Sequence, residues 1–215
     1  MPMPLPAQSI PETKRAARQA LKLPENPFLI AVHGFVHAVK RPFEILHAFA
    51  ELLKKHPQAL LMYCGSTEYL LEDLEGEIQR LGLKDKVRMT GYLTMDDFYR
   101  YIEAADLCIN LRYPSNGETS ASVLRIMAQG KPVIVTDIDS FADYPGEIGL
   151  KVPPPDKGND TEATARLFIE LADNPARLQA LGDGCREYVA NYHDPDIVAG
   201  NLVSFMQDVL ATPEA

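Results

Sequence analysis

The chain has no tryptophan, only three cysteines, and fewer basic than acidic groups: 21 Lys and Arg against 30 Asp and Glu, a formal charge of −9 over 215 residues. Each scarcity narrows the function. A surface this acidic argues against nucleic acid as a partner, because binding a phosphate backbone needs a basic face. An anionic small ligand fits only in a locally basic pocket. Cys64, Cys108 and Cys185 are too widely spaced for a metal-ligand set and read as reduced, buried thiols. No apolar run approaches the length that crosses a bilayer, and no signal peptide is recognisable, so the expectation is a cytoplasmic protein with no transmembrane segment. The G-x-G-x-x-G fingerprint is missing after the first strand, where Gly34 stands alone, and the P-loop pattern is missing too. No carboxylate–histidine spacing points to a metal, and no Ser/His/Asp or Cys/His arrangement is supported.

What is present is a regular alternation. Short apolar runs predict buried strands near 28–33, 59–64, 86–90, 106–111, 132–136 and 148–152. Helical patterns lie near 12–21, 42–56, 68–81, 95–104 and 120–129, then 160–173, 175–191 and 195–211. The strands are continuously apolar rather than alternating, which fits a parallel sheet covered on both faces. In helix 42–56, Ile45, Leu46, Phe49, Leu52 and Leu53 form the inner stripe, and Glu44, His47, Glu51 and Lys54 the outer one. Asn174-Pro175 and Asp194-Pro195 are helix-start signals. Residues 1–11 are Pro-rich and read as a disordered linker, followed by one domain over 12–212. The fold class is α/β, a doubly wound parallel sheet.

Such sheets bind ligands beyond the carboxyl ends of their strands. The segments there are Gly34 through Arg41, Gly65-Ser66-Thr67-Glu68, Gly91 through Thr94, Arg112 through Ser122, and Asp137 through Asp143. The richest is Arg112-Tyr113-Pro114-Ser115-Asn116-Gly117-Glu118-Thr119-Ser120-Ala121-Ser122, a polar loop that runs into a helix start. A helix N-terminus offers unpaired N–H groups and a partial positive charge, so it suits a phosphate, although Ser/Thr capping alone would also explain the hydroxyls. Lys40 and Arg41 open a helix whose dipole disfavours cations there, which makes sense if an anion shares the space. Arg125 interrupts an apolar helix and needs an anionic partner: Glu118, Asp139 or Asp143, or equally a phosphate or sugar hydroxyl. His33 reads as a satisfied core histidine, His37 as a weak candidate donor to a ligand, and His193 as a cap-region residue.

Five segments together carry a resemblance: Gly34 with Lys40-Arg41-Pro42, Val87 through Tyr92, Ala104-Ala105-Asp106-Leu107, Gly117 through Ser120, and Met127 through Ile134. They resemble the C-terminal, donor-binding domain of retaining glycosyltransferases of the GT-B fold, the glycosyl transferases group 1. The likeness covers roughly residues 12–212. It implies one Rossmann-like half of a GT-B fold with extra C-terminal helices. It also implies a nucleotide-diphosphate sugar, a UDP- or GDP-sugar, as donor substrate, with no separate cofactor and no metal. By this resemblance Lys40 and Glu118 carry catalytic roles, Lys40 with Arg41 contacting the diphosphate and Glu118 lying near the donor sugar. Gly91, Tyr92 and Leu93 hold the base, and backbone N–H groups from Thr119 to Ser122 cradle the diphosphate. Gly34, Phe35, Arg112, Gly117, Thr119, Ser120, Ser122 and Arg125 complete the expected substrate-binding set. Phe35 stands where the family often has an arginine, and Arg125 occupies the slot of a second glutamate. The family's N-terminal acceptor domain is expected as a partner in the same or another chain. Two alternatives stand beside the transferase reading: a non-catalytic nucleotide-sugar-binding or interaction module, and another GT-B enzyme such as a nucleotide-sugar epimerase.

Overall fold

The computed structural model describes residues 2–5, 12–67 and 70–211. Six strands form one sheet: β1 (Leu29–His33), β2 (Leu60–Cys64), β3 (Val87–Met89), β4 (Leu107–Asn110), β5 (Val133–Thr136) and β6 (Leu150–Val152). Their spatial order is β3-β2-β1-β4-β5-β6 and every pairing is parallel. The order reverses between β1 and β4, where Val32 sits opposite Ile109. Each strand is one or two residues shorter than expected.

Two apolar layers flank the sheet. On one face pack α2 (Pro42–Leu53), α3 (Leu71–Arg80) and α7 (Asp160–Ala172), meeting Ile30, Val32, Leu61 and Tyr63 through Phe49, Leu74 and Phe168. On the other lie α1 (Lys14–Ala20), α4 (Met95–Ala104), α5 (Ala121–Ala128), α6 (Asp139–Ala142) and α8 (Pro175–Tyr192), burying Ala31, Cys108 and Val135 against Ile102, Val123, Phe141 and Cys185. Every residue of β1, β2, β4 and β5 is buried, which is why these strands read as unbroken apolar runs. The three cysteines are buried free thiols, as expected. Neither α6 nor the 3₁₀ turn over Ala38–Lys40 is legible in the sequence, since one turn of helix leaves no periodicity to read. The helix-start signals hold. Asn174 Oδ1 accepts from the Arg177 N–H at 3.0 Å, and Asp194 Oδ1 accepts from the Asp196 N–H at 2.9 Å. Asp194 precedes α9 (Pro195–Ala211), and no helix among the described residues is long and apolar enough to cross a membrane.

The expected linker needs a correction over residues 2–5, which lie against the end of α8. Leu5 is buried, its N–H donates to His193 O at 2.8 Å, and His193 Nδ1 lies 2.9 Å from Met3 O. An apolar side chain and two polar contacts hold this segment down, and His193 is buried at the C-cap of α8. Residue 1, residues 6–11, Glu68 and residue 212 lie outside the described residues.

One buried network ties α1 to the amino ends of β1 and β4. Arg18, 2% exposed, donates to Ala104 O at 2.9 Å, Pro27 O at 3.1 Å and Asp106 Oδ2 at 2.7 Å, and also to Glu25 O. Asp106 in turn accepts from the Leu29 N–H and from Lys14 Nζ, each at 2.8 Å. Arg18→Ala leaves a carboxylate and three carbonyls short of a donor, so it is expected to destabilise the fold by ~2–4 kcal/mol in urea unfolding. A change below ~0.5 kcal/mol would show that solvent replaces the guanidinium without loss.

Candidate functional site

The crevice where strand order reverses lies beyond the carboxyl ends of β1 and β4. Gly34 leaves β1 with φ of 89°, a conformation that side chains disfavour. A Cβ there would come within 2.9 Å of Lys40 Nζ and 3.1 Å of Ser122 Oγ, so glycine is what lets the lysine and the serine share this corner. The neighbouring loop is equally tight: a Cβ on Gly65 would fall 2.2 Å from Gly34 O. α5 begins at the same place. Ser120 is its N-cap, with Oγ accepting from the Val123 N–H at 3.4 Å, and no acidic residue occupies its first turn. The helix thus aims its positive end and the Ser122 hydroxyl into the crevice.

Lys40 ends the 3₁₀ turn and is only 8% exposed. Its ammonium donates to a backbone carbonyl, His33 O, at 3.1 Å, and among the described residues no carboxylate pairs with it. Burial, assisted by the Arg112 charge, lowers its pKa to about 8. A buried cation compensated only by a carbonyl is costly, and an arriving anion reverses that cost.

Arg112 leaves β4, with its N–H donating to Thr136 Oγ1 at 2.9 Å and its guanidinium paired with Glu118. Glu118 also accepts from the Asn116 N–H at 3.0 Å, and its carbonyl accepts from Ser140 Oγ at 2.9 Å. Gly117 and Thr119, on either side, are exposed. The sequence offered Glu118 as a partner for Arg125, but Arg112 holds it instead. Arg125 is half-buried rather than deeply buried, and its Nε has no partner among the described residues. No described ion pair joins it to Asp139 or Asp143.

Arg41 behaves differently from Lys40. It adopts φ of 57° before Pro42 and forks onto Asp160, with Nε at 2.6 Å from Oδ2 and Nη2 at 3.2 Å from Oδ1; Glu44 adds a contact at 3.2 Å. Its charge is committed to joining α2 to α7, which answers the sequence puzzle of a cation at that helix start. Phe35 is 44% exposed; His37, whose ring accepts weakly from the Val39 N–H, is exposed too, and Tyr92 beyond β3 is 87% exposed. Gly91 carries φ of 69°, and Leu93 turns back to pack on the core, so the expected base-binding loop presents Tyr92 alone as a large side chain.

Two residues beneath the crevice lie outside the site set expected from the sequence. His33 and Asn110 end β1 and β4, both completely buried, and none of their four side-chain polar atoms has a partner among the described residues. The expectation of a satisfied core histidine is corrected: His33 stacks edge-on against Phe98 at 5.0 Å and gains no hydrogen bond. Burial, with the Lys40 charge, drops its pKa to about 3 and keeps it neutral. Their signal in the sequence is a single polar residue near the end of an apolar run.

A separate cleft of about 650 Å³ opens at the opposite, amino edge of the sheet, among Lys14, Phe28, His56, Asp106, Lys131 and Pro175. Two of its lysines are already matched, Lys14 with Asp106 and Lys131 with Glu103, and the His56 ring lies 3.1 Å from Asp173. The buried ammonium that no carboxylate pairs with among the described residues, that of Lys40, is at the other edge.

The low pKa of Lys40 has a signed consequence. Between pH 8 and 10.5 the unfolded chain binds this proton more tightly than the folded one, so its contribution to stability rises with pH across that window. Lys40→Met is expected to stabilise the empty fold by ~1–3 kcal/mol at pH 7, with a smaller gain above pH 10. Denaturant unfolding at several pH values checks this, and a destabilised variant at pH 7 contradicts it.

Comparison with known proteins bears on the family and the fold. The glycosyl transferases group 1 family matches over residues 13–188. A D-inositol 3-phosphate glycosyltransferase of Thermobispora bispora is 29% identical over 196 residues, covering 85% of this chain and 44% of that protein. The chain therefore spans less than half the length of this curated relative. Among solved structures, Anabaena HepE in complex with UDP superposes with a TM-score of 0.81 at 16% identity, over 93% of this chain and 54% of that one. The C-terminal domain of LpcC, a group 1 family protein of Francisella tularensis, matches with a TM-score of 0.73 at 18% identity, over 90% of this chain and 96% of that one. The six-stranded parallel sheet and the family match lead to one conclusion: the chain belongs to the glycosyl transferases group 1 family, has the Rossmann-like architecture of a GT-B half, and covers the C-terminal part of its relatives.

Proposed function

We propose that this chain is the donor-binding half of a retaining glycosyltransferase, moving a sugar from a nucleotide-diphosphate sugar to an acceptor. The observation that carries the reading is the buried, carboxylate-free ammonium of Lys40 beside Gly34, Ser122 and the start of α5. Helix N–H groups, a lysine and Arg112 supply the charge that a leaving diphosphate needs, so departure of the nucleotide is assisted electrostatically. Glu118 stands on the adjacent loop, in reach of the group that the diphosphate carries. UDP, named in the HepE complex, is the first nucleotide to test, and a GDP-sugar is the alternative donor.

Acceptor binding belongs to a second, N-terminal domain, and the half described here is inactive by itself. Of the site residues expected from the sequence, Gly34, Lys40, Arg112, Glu118, Ser120 and Ser122 support the reading together, and Gly91 with Tyr92 fits a base platform. Arg41 is withdrawn from the diphosphate by Asp160 and is assigned a structural role.

Calorimetric titration of UDP, GDP and ADP into the folded chain tests the reading. One nucleotide is expected to bind saturably, and Lys40→Ala to weaken it by roughly tenfold or more, the value of a charge-assisted contact of about 1.4 kcal/mol. Equal binding by wild type and Lys40→Ala, or binding of none of the three, contradicts the proposal.

A further inference from the structure

Arg112 is only half used in the empty site. One end of its guanidinium pairs with Glu118, while its Nε is buried with no partner among the described residues. Its position is fixed by backbone: the Arg112 N–H is held by Thr136 Oγ1, and the next N–H, of Tyr113, donates to Val39 O at 2.8 Å. That second bond straps the Arg112 segment to the turn that carries Lys40, and the Arg112 charge is felt by Lys40 as a lowered pKa. Glu118 is held less firmly. Its side chain is 37% exposed against 16% for Arg112, so water can receive the carboxylate but not the guanidinium. Burial already lowers the pKa of Arg112, a sign that its cation is poorly solvated where it stands.

A guanidinium fork is satisfied by two oxygens side by side, which a phosphate offers to Nε and a terminal nitrogen together. We propose that the Arg112–Glu118 ion pair is an exchange latch: a diphosphate entering beside Lys40 takes Arg112, and Glu118 is released to face the group carried on that diphosphate. This rests on the donor-binding reading above. In the empty site Glu118 offsets the mutual repulsion of Lys40 and Arg112, so the same carboxylate competes with the incoming anion. The latch makes the diphosphate the key to the site. A nucleoside that does not reach Arg112 leaves Glu118 engaged, so the carboxylate is set free only when a diphosphate is in place.

Titration of inorganic pyrophosphate and of UDP into the wild type, Glu118→Gln, Arg112→Ala and the double variant tests this. Exchange predicts that Glu118→Gln tightens pyrophosphate about three- to tenfold, because no ion pair has to be broken first, and that the gain falls to about twofold or less in the Arg112→Ala background. A gain as large or larger without Arg112 means that the pair persists on binding and overturns the latch. Arg112→Lys keeps the charge without the fork and is expected to bind nearly as weakly as Arg112→Ala; wild-type affinity in that variant also overturns it. If UDP binds the wild type and Arg112→Ala equally, the latch fails while the donor-binding reading stands. If the folded wild type binds neither probe, both fail.

Discussion

The structure turns on one buried charge. Lys40 holds an ammonium at the reversal point of the sheet, and its hydrogen-bond partner among the described residues is one carbonyl. Such a group weighs against folding unless an anion offsets it, and the proposed reading supplies that anion. Gly34 clears the space, the start of α5 faces it, and Arg112 adds a second cation. The remaining features of the crevice, including the Arg112–Glu118 pair, read as ways of keeping two like charges together while the site is empty. On the proposed reading, stability is lost locally for binding capacity, a common trade at functional sites.

The sheet itself supplies the rigidity this needs. Two apolar layers clamp the central strands, and the Arg18–Asp106 network closes the opposite edge by tying α1 to the starts of β1 and β4. The two edges are chemically different. Among the described residues, Lys14 and Lys131 at the amino edge have found carboxylates, whereas at the carboxyl edge Lys40 has not, Arg112 is half matched and Arg125 keeps a bare Nε. A cleft is the more visible feature at the first edge, and unmet charge the more informative one at the second.

Much of the fold was legible because each central strand is buried on both faces and so is apolar throughout, from Leu29–His33 to Val133–Thr136. The strand-end loops followed from that, and with them Gly34, Lys40, Glu118 and Ser120. Pairings across the fold were not legible. Arg41 and Asp160 are 119 residues apart, and nothing local marks either as the other's partner. Glu118 was offered to Arg125, but Arg112 sits between tethers to Thr136 and, through Tyr113, to Val39, which bring it there first. The sequence implies a satisfied His33 because a buried histidine normally is; that its ring packs on Phe98 and finds no hydrogen-bond partner among the described residues depends on packing from α4. The seat of Leu5 on His193 likewise depends on a contact across almost the whole chain.

The central claim is that an anion binds at the carboxyl edge of the sheet, over Lys40 and the start of α5. Amide chemical-shift mapping with UDP tests it most directly, because it reports location independently of affinity. The account predicts shifts concentrated at Gly34, Lys40 and Ala121 to Val123, with Gly91 and Tyr92 following. Shifts confined to the opposite cleft, at Lys14, Lys55 and Gln179, would contradict it.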